Sequence, residues 1–361
     1  MRYFCKRICI YLVIAVLTIF LIPNFACAKV FDNFGMICFN TDVYVLVEDK
    51  KLDQKVKQEM QSVLESLEQE FSLSSEFSAT SFTQAFNNSG DTVSLAGFTY
   101  ATEIINECKK INLLTNKFNP AIYPLLDLWQ LSSNRFVVTN PNFIPPKDSE
   151  ILSLLSFADF DSLTLDLKNQ VIVKNYAQTK IDLGGVIKGY ASQKLSEILL
   201  NNGYTKGYVN IGGSSLNILH TEYDLSIIHP RGNESLSQYI INVKADKVNQ
   251  KSISTSGDYV RYYIYEGVRY CHVIDASNGK PVDSGFSSVT VIGDDGLFCD
   301  AISTALMCMQ KQDFINFVKS NLTDYQVYAV YENSNEKQIL TNKKQGEYFT
   351  LLDGNYAVVN F

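Results

Sequence analysis

The stretch that decides the fold class is DLGGVIKGYASQKLSEILLNNGYTKGYVNIGG, residues 182–213. Between Ala191 and Leu199 its apolar residues recur at helical spacing, which predicts an amphipathic helix. The polar and glycine residues 201–203 end that helix. The apolar run 208–211 then predicts a buried strand, which ends in two glycines. A helix leading directly into a buried strand indicates a mixed helix and sheet domain.

The flanking sequence extends this pattern in both directions. Apolar residues at helical spacing predict helices over 52–71, about 100–115 and 300–310. The Ser- and Thr-rich stretch 72–92 is interpreted as a long loop. Short apolar runs predict strands at 44–47, around 160–174, and at 224–228, 238–243, 259–265 and 287–292. Strands in runs with segregated helices favour an α+β class, with antiparallel sheets and packed helices, over a regular βαβ alternation.

The N-terminus carries a predicted export signal over residues 1–28. Basic residues precede the apolar run 8–22, and the small-x-small pattern 26–28 is typical of signal peptidase sites. The apolar run is shorter than the roughly 20 residues that span a bilayer as a helix. We expect cleavage after Ala28, with 29–361 as one domain; a retained anchor or a lipid on Cys27 are the alternatives.

Charge and cysteine content exclude several function classes. The chain has 31 basic and 38 acidic residues, and three of the basic residues lie in the export signal. The acidic remainder argues against nucleic acids and anionic lipid surfaces as partners. Five cysteines follow the signal without any CxxC pair, which argues against a disulfide framework or a zinc site. They are interpreted as small buried apolar residues.

The glycine-rich segment 184–189 lies at the predicted start of a helix. It matches neither the P-loop nor the dinucleotide-binding fingerprint. Glycines at a helix N-terminus still allow a close approach by an anion such as a phosphate. Lys188 could then meet that phosphate; the alternative is a tight turn with a surface lysine.

Three further patterns carry candidate chemistry. Asp300 and Thr304 are spaced i and i+4, so their oxygens share one helical face and suit a hard cation such as magnesium. A capped helix start is the alternative. The polar turn 254–259 opens a strand and could be only a loop. His272, one of three histidines, is a candidate base or a structural residue.

Taken together and in order, these segments resemble the ApbE-type FAD:protein FMN transferases. The family patterns Met-Gly-Thr, F-D-P-x-x-x-P-L…L-W, D-L-G-G-I-A-K-G, N-I-G-G-D, T-S-G-D-Y, H-I-I-D and A-D-A-x-x-T have counterparts along nearly the whole mature chain. Residues 71–72 with 81–87 resemble one further signature. The matching segments are 39–41, 118–129, 182–189, 210–213, 255–259, 272–275 and 300–304.

The resemblance implies the family's α+β fold, which is related to the tetrahydrobiopterin-synthesis (T-fold) enzymes. It implies a magnesium-dependent transferase that attaches FMN from FAD, through a phosphoester, to a Thr or Ser hydroxyl of an acceptor protein and releases AMP. The alternatives are a magnesium-dependent FAD pyrophosphatase giving FMN and AMP, and a non-catalytic exported flavin-binding protein.

The resemblance also assigns roles to residues. For catalysis these are His272 and Asp300. For binding FAD they are Phe39, Ser74, Lys117, Phe118, Asn119, Asp182, Lys188, Ser256, Asp258 and Ile274. For holding Mg2+ they are Gly185, Asp300, Ser303 and Thr304.

Three departures from the family pattern fall on the flavin-binding rim and not on the expected metal ligands. Ser214 and Asn119 each replace an Asp, and Phe39 with Asn40 replaces Met-Gly. The expected partners are FAD and an exported acceptor with a flavinylation motif, which could be membrane-proximal. The expected location is the periplasm or the outer face of the cytoplasmic membrane.

Overall fold

A computed structural model describes residues 30–48, 50–77, 79–132, 136–138, 140–220, 224–232, 238–249 and 251–361. The predicted export signal, with its cleavage after Ala28 and the alternative lipid on Cys27, lies outside these residues.

Nine α-helices occur in the described part of the chain. Their bounds are α1 Gln54–Phe71, α2 Phe82–Asn88, α3 Ala101–Thr115, α4 Tyr123–Leu128, α5 Asp148–Leu155, α6 Ile187–Asn201, α7 Ala245–Val248, α8 Gly296–Met307 and α9 Lys311–Asn321. None of these helices is both long enough and apolar enough to cross a bilayer.

Nineteen strands accompany them within the described ranges. Their bounds are β1 Phe31–Cys38, β2 Thr41–Glu48, β3 Thr92–Ser94, β4 Leu163–Asp166, β5 Val171–Lys174, β6 Gly207–Ile211, β7 Ser215–Ile218, β8 Leu225–Ile228, β9 Tyr239–Val243, β10 Ser252–Gly257, β11 Tyr262–Tyr265, β12 Val268–Cys271, β13 Ile274–Asp275, β14 Lys280–Pro281, β15 Phe286–Gly293, β16 Gln326–Glu332, β17 Lys337–Thr341, β18 Phe349–Leu351 and β19 Ala357–Asn360.

One large sheet organises the molecule. Its strand order is β1-β2-β6-β7-β10-β15-β16-β17-β19, and all neighbours are antiparallel except the last pair. On one face α8 packs over β10 and β15, and α6 packs against both α8 and α1. On the other face the small sheet β18-β9-β8 covers part of the strands through a second apolar core. The predicted α+β class with antiparallel sheets is confirmed.

The first helix, α1, shows how the sequence sets this packing. The Asp53 side chain caps its N-terminus by accepting the Lys55 N–H at 2.8 Å. Its apolar stripe, from Val56 to Leu67, is buried in the main core. The predicted helix over 52–71 is therefore confirmed, because its apolar residues follow the helical period.

The prediction of a long loop over 72–92 is wrong, because this stretch contains α2. Ser81 starts that helix by accepting the Gln84 N–H at 3.2 Å, while Phe82 and Phe86, four residues apart, are fully buried. Serine is a favoured N-cap residue, so a serine-rich stretch can mark a helix start as well as a loop.

The five described cysteines confirm another prediction. All are free thiols and all are buried. Each lies in the main core, where it packs as a small apolar side chain.

Candidate functional site

Three hydroxyl groups meet where α8 crosses β10. The Ser256 Oγ lies 2.8 Å from the Ser303 Oγ and 2.9 Å from the Thr304 Oγ1. Ser303 also donates to the Asp300 carbonyl one turn earlier, at 2.9 Å, and is fully buried. The Ser303 hydroxyl is thus used in hydrogen bonds within α8 and between α8 and β10. Thr304 is partly exposed at the edge of the cluster.

The glycine loop before α6 faces this cluster. A Cβ placed on Gly185 would lie 3.8 Å from the Thr304 Oγ1, so the two residues are neighbours across the site. The loop is shaped by Asp182, whose Oδ1 accepts the Gly184 N–H at 2.7 Å. This side-chain turn holds the main chain of Gly185 beside Thr304, and the structure thus joins two of the predicted metal ligands.

Asp300 is a buried carboxylate with hydrogen-bond donors around it. Only 4% of the residue is exposed, and its Oδ2 accepts the Gly189 N–H at 2.9 Å. Burial raises the pKa of the Asp300 carboxyl above its ordinary value, while the nearby Lys188, the Gly189 N–H and the Ser215 hydroxyl oppose that rise. A bound cation would stabilise the charged form of such a buried carboxylate.

Lys188 lies in the first turn of α6 and braces the glycine loop. Its Nζ donates to the Gly184 carbonyl at 2.9 Å. Its charge also acts on Asp300 and on His272. The lysine therefore lies among the predicted catalytic and metal-binding residues.

His272 follows β12 and is half-buried. Its Nδ1 lies 3.2 Å from the Arg261 carbonyl oxygen, which can only accept, so Nδ1 carries the proton and donates. Burial, reinforced by the charges of Arg261 and Lys188, lowers the pKa of His272 well below its usual range. The imidazole is then neutral near pH 7, and its Nε2 is an unprotonated acceptor.

The predicted flavin contacts at 117–119 form a second loop beside the first. The Asn119 Oδ1 accepts the Ala121 N–H at 2.9 Å and caps a short helical turn. The Lys117 Nζ forms an ion pair with Asp275 at 3.1 Å, directly after Ile274. This ion pair ties the loop to the strand that follows His272.

Three predicted flavin contacts lie outside this constellation of hydrogen bonds. The Phe39 N–H donates to Glu68 on α1 at 2.7 Å. Ser74 is exposed, and its Oγ accepts the Glu76 N–H at 3.3 Å. The Asp258 carboxylate accepts hydrogen bonds from two guanidinium nitrogens of Arg231, each at 2.7 Å, and both residues line a cavity of about 380 Å³.

Comparison with known proteins identifies the family that shares this arrangement. The sequence profile described as the ApbE family matches residues 39–329, which include all of the elements described above that form the site. The chain belongs to the ApbE family.

Relatives within the ApbE family are similar over most of their length. The FAD:protein FMN transferase of Vibrio cholerae is 26% identical over 241 residues, covering 65% of this chain and 69% of that protein. The Escherichia coli protein of the same name is 26% identical over 268 residues, covering 72% and 73%.

Solved structures of the ApbE family share the fold. The flavin transferase ApbE of Vibrio cholerae superposes with a TM-score of 0.72 at 20% identity, covering 86% of this chain and 97% of that one. The ApbE protein of Thermotoga maritima gives a TM-score of 0.70 at 27% identity, covering 84% and 94%. The predicted ApbE-like fold is confirmed.

Two neighbours of the site were not predicted from the sequence or from the ApbE family motifs. The Ser215 hydroxyl opposes the rise in the pKa of the Asp300 carboxyl, and the Arg261 carbonyl accepts a hydrogen bond from the His272 ring. Ser215 lies two residues after Gly213, and the family motif draws attention to residue 214 instead. Arg261 carries no motif signal, since it acts through its main chain.

Proposed function

We propose that this protein is an FAD:protein FMN transferase that moves FMN from FAD onto a Thr or Ser hydroxyl of an acceptor protein. The observation that carries the proposal is the meeting of Gly185 and Thr304 beside the buried Asp300 carboxylate, in a chain of the ApbE family. The names of the Vibrio cholerae and Escherichia coli relatives support the reaction class.

The donor set fits magnesium in its chemistry. Asp300, Thr304 and the main chain of Gly185 offer one carboxylate, one hydroxyl and one carbonyl, all of them oxygen donors, which Mg2+ prefers. Within the described ranges, no three His, Cys, Asp or Glu side chains cluster as a metal site. Magnesium usually takes only one or two protein carboxylates and completes its shell with phosphates and water.

A bound magnesium ion would partly neutralise the negative charge on the pyrophosphate of FAD. The residues named above would hold it, with Ser256 orienting Thr304 through their 2.9 Å hydrogen bond. Lys188 lies near the same carboxylate and would add a second positive charge on the side of the glycine loop.

The proton of the acceptor hydroxyl needs a base, and His272 meets the requirement. Its Nε2 is the acceptor nitrogen of a neutral ring. In the proposed reaction, Nε2 takes the proton as the hydroxyl oxygen bonds to the FMN-side phosphorus. The bond between that phosphorus and the oxygen bridging to the AMP phosphorus breaks, and AMP leaves with this oxygen.

The decisive experiment incubates the purified protein with FAD, Mg2+ and an exported protein carrying a flavinylation motif. A transferase gives an acceptor heavier by one covalent FMN together with an equal amount of AMP. FMN and AMP in solution, with or without the acceptor, would instead establish a pyrophosphatase. Bound FAD without any AMP would establish a flavin-binding protein.

We also propose that the protein is exported and works outside the cytoplasmic membrane. The positive residues, the apolar run 8–22 and the small residues at 26–28 support this location. Mass spectrometry of the protein from its native cells tests the proposal. A mature N-terminus at Lys29 is expected, whereas a diacylglyceryl group on Cys27 would establish a lipoprotein.

A further inference from the structure

The two loops of the candidate site, 117–120 and 181–185, are joined to each other. The Asp182 N–H donates to the Pro120 carbonyl at 2.9 Å. A Cβ on Gly185 would lie 3.5 Å from the Phe118 ring, an ordinary van der Waals contact. Any shift of one loop would therefore displace the other, together with the main chain that faces Thr304.

The second loop is held from behind by Asn87, the penultimate residue of α2. Its Nδ2 donates to the Ile181 carbonyl at 3.0 Å, and its Oδ1 accepts the Ile181 N–H at 2.7 Å. Asn87 is 8% exposed. The side-chain amide thus satisfies both main-chain groups of the residue directly before Asp182, as a neighbouring strand would.

The helix that carries Asn87 is itself fixed at both ends. Ser81 caps its start and also donates to the Ser72 carbonyl at 2.8 Å. At its end, the buried Lys174 donates to the carbonyls of Phe86 and Ser89, at 3.1 and 2.9 Å. The segment 81–87, which the family resemblance singled out without assigning a task, thus forms a rigid base for Asn87.

The first loop is held in a similar way by Asn112 on α3. Its Nδ2 donates to the Phe118 carbonyl at 2.9 Å, and the residue is 6% exposed. Its Oδ1 has no partner among the described residues, so Asn112 provides one hydrogen bond where Asn87 provides two.

We propose that Asn87 and Asn112 are positioning residues, which hold the two loops in the shape that receives FAD. The identity of the ligand as FAD rests on the proposed function. Asn87 bonds to the main chain of Ile181, directly before Asp182, and Asn112 bonds to the main chain of Phe118 itself. The bonds recorded for the two asparagines do not involve the oxygens of Asp300, Ser256 or Thr304. Without these side chains, FAD binding itself would have to order the loops. Restricting a flexible backbone costs free energy on association, so the affinity for FAD would fall.

The test measures FAD affinity by calorimetry, in the presence of Mg2+, for the wild type, Asn87→Leu and Asn112→Leu. We expect FAD to bind roughly 10- to 100-fold more weakly to Asn87→Leu, since two hydrogen bonds to buried main-chain groups are lost. For Asn112→Leu, which loses one bond, we expect roughly a 3- to 10-fold loss. In both variants the rate at saturating FAD should recover most of its wild-type value, so that KM for FAD rises more than kcat falls.

Asn342→Leu is the matched control. The Asn342 side chain also bonds to main-chain groups, donating to Leu322 and Tyr325 and accepting from Val327, at 3.0–3.2 Å, and these three partners lie outside both loops. We expect its thermal stability to fall while its FAD affinity stays unchanged. The proposal would be overturned if Asn342→Leu lost as much FAD affinity as Asn87→Leu at the same loss of thermal stability. Wild-type FAD affinity in Asn87→Leu would overturn it as well.

If Asn87→Leu does not fold, Asn87→Asp still decides the question. It keeps the acceptor for the Ile181 N–H but not the donor, so an intermediate loss of affinity is expected and an unchanged affinity contradicts the proposal. A wild type that binds FAD without transferring FMN would overturn the proposed function alone. A wild type that does not bind FAD would overturn both.

Discussion

The main-chain N–H of Gly189 donates to the Oδ2 of Asp300 across the α6–α8 crossing, with the two atoms 2.9 Å apart. The helices can approach this closely because residue 189 has no side chain. A Cβ there would lie 2.7 Å from the Asp300 Cβ and would overlap the Gly296 carbonyl. Gly189, at the end of the glycine-rich segment 184–189, therefore serves the packing of α6 against α8.

Gly189→Ala should consequently destabilise the protein and reduce FMN transfer together. The added methyl group must push α6 away from α8, at a cost of about 1–3 kcal/mol for overpacking, and it moves the N–H away from Asp300. Urea unfolding and AMP release measure the two effects. Gly90→Ala is the control, because a Cβ at that exposed glycine would meet nothing within 4 Å; equal behaviour of the two variants would refute the packing argument.

Replacing Asp300 tests the metal site. Asp300→Asn should lower FMN transfer about 100- to 1,000-fold, the scale of losing one group that stabilises transition-state charge. Its thermal stability should be equal to or above that of the wild type, because a neutral amide avoids the burial cost that raises the pKa of the carboxyl. EDTA should reproduce the loss in the wild type, and added Mg2+ should reverse it. Native transfer rates in EDTA would rule out a metal role.

Thr304→Val should be milder than the Asp300 substitution. It removes one neutral oxygen, which water can partly replace, and one hydrogen bond to Ser256. We expect a higher Mg2+ concentration at half-maximal transfer and a nearly normal rate at saturating Mg2+. A titration of transfer against Mg2+ measures this, and a loss as complete as in Asp300→Asn would show that Thr304 has a further role.

The protonation of His272 predicts the pH dependence. Since burial lowers the pKa of the ring below its ordinary 6.5, transfer should stay constant as pH falls from 8 to 6.5 and decline only in more acidic solution. The same shift makes acid destabilising: below pH 6.5 the unfolded chain takes up a proton that the folded chain resists. Stability from this group is full above 6.5 and is lost as pH falls through the folded pKa.

His272→Gln is the control for both effects. It should lose transfer about 100- to 10,000-fold while binding FAD, the range of a missing general base, and its acid destabilisation should be smaller than that of the wild type. A wild-type rate profile with its midpoint at or above 6.5 would contradict the assignment.

The turn between β1 and β2 gives a prediction on stability. Phe39 and Asn40 both have positive φ, 55° and 56°, which is the backbone of a two-residue type I′ turn. Asn40→Ala should destabilise the protein by about 1 kcal/mol, because alanine tolerates this conformation poorly. Asn40→Gly should not, since glycine adopts it freely. Chemical denaturation compares the two, and equal stabilities would mean that the turn is not strained at Asn40.

The sequence could predict those parts of the structure that local patterns determine. The period of Val56 to Leu67 predicts α1, and the i, i+4 spacing of Asp300 and Thr304 places them on one face of α8. The order of family motifs predicts that Gly185 lies opposite Thr304. Each of these depends on residues that are close in the chain or matched to a family pattern.

Other features depend on contacts between distant segments and leave no local signal. The parallel pairing of β17 with β19 and the place of β6 beside β2 are set by the packed core. The same holds for the burial of Asp300, and for Asn87 reaching Ile181 over 94 positions. The short helix α2 could not be predicted either, because helix caps and loops favour the same small polar residues.

The five buried thiols have a practical consequence for following this protein in solution. Only a thiolate reacts readily with an alkylating reagent, and burial raises the pKa of Cys271 to about 11 and that of Cys38 to about 12. These side chains are thus shielded twice, by lack of access and by their retained protons. Alkylation at these positions reports opening of the main core, so the chain carries its own probe of unfolding without any added label.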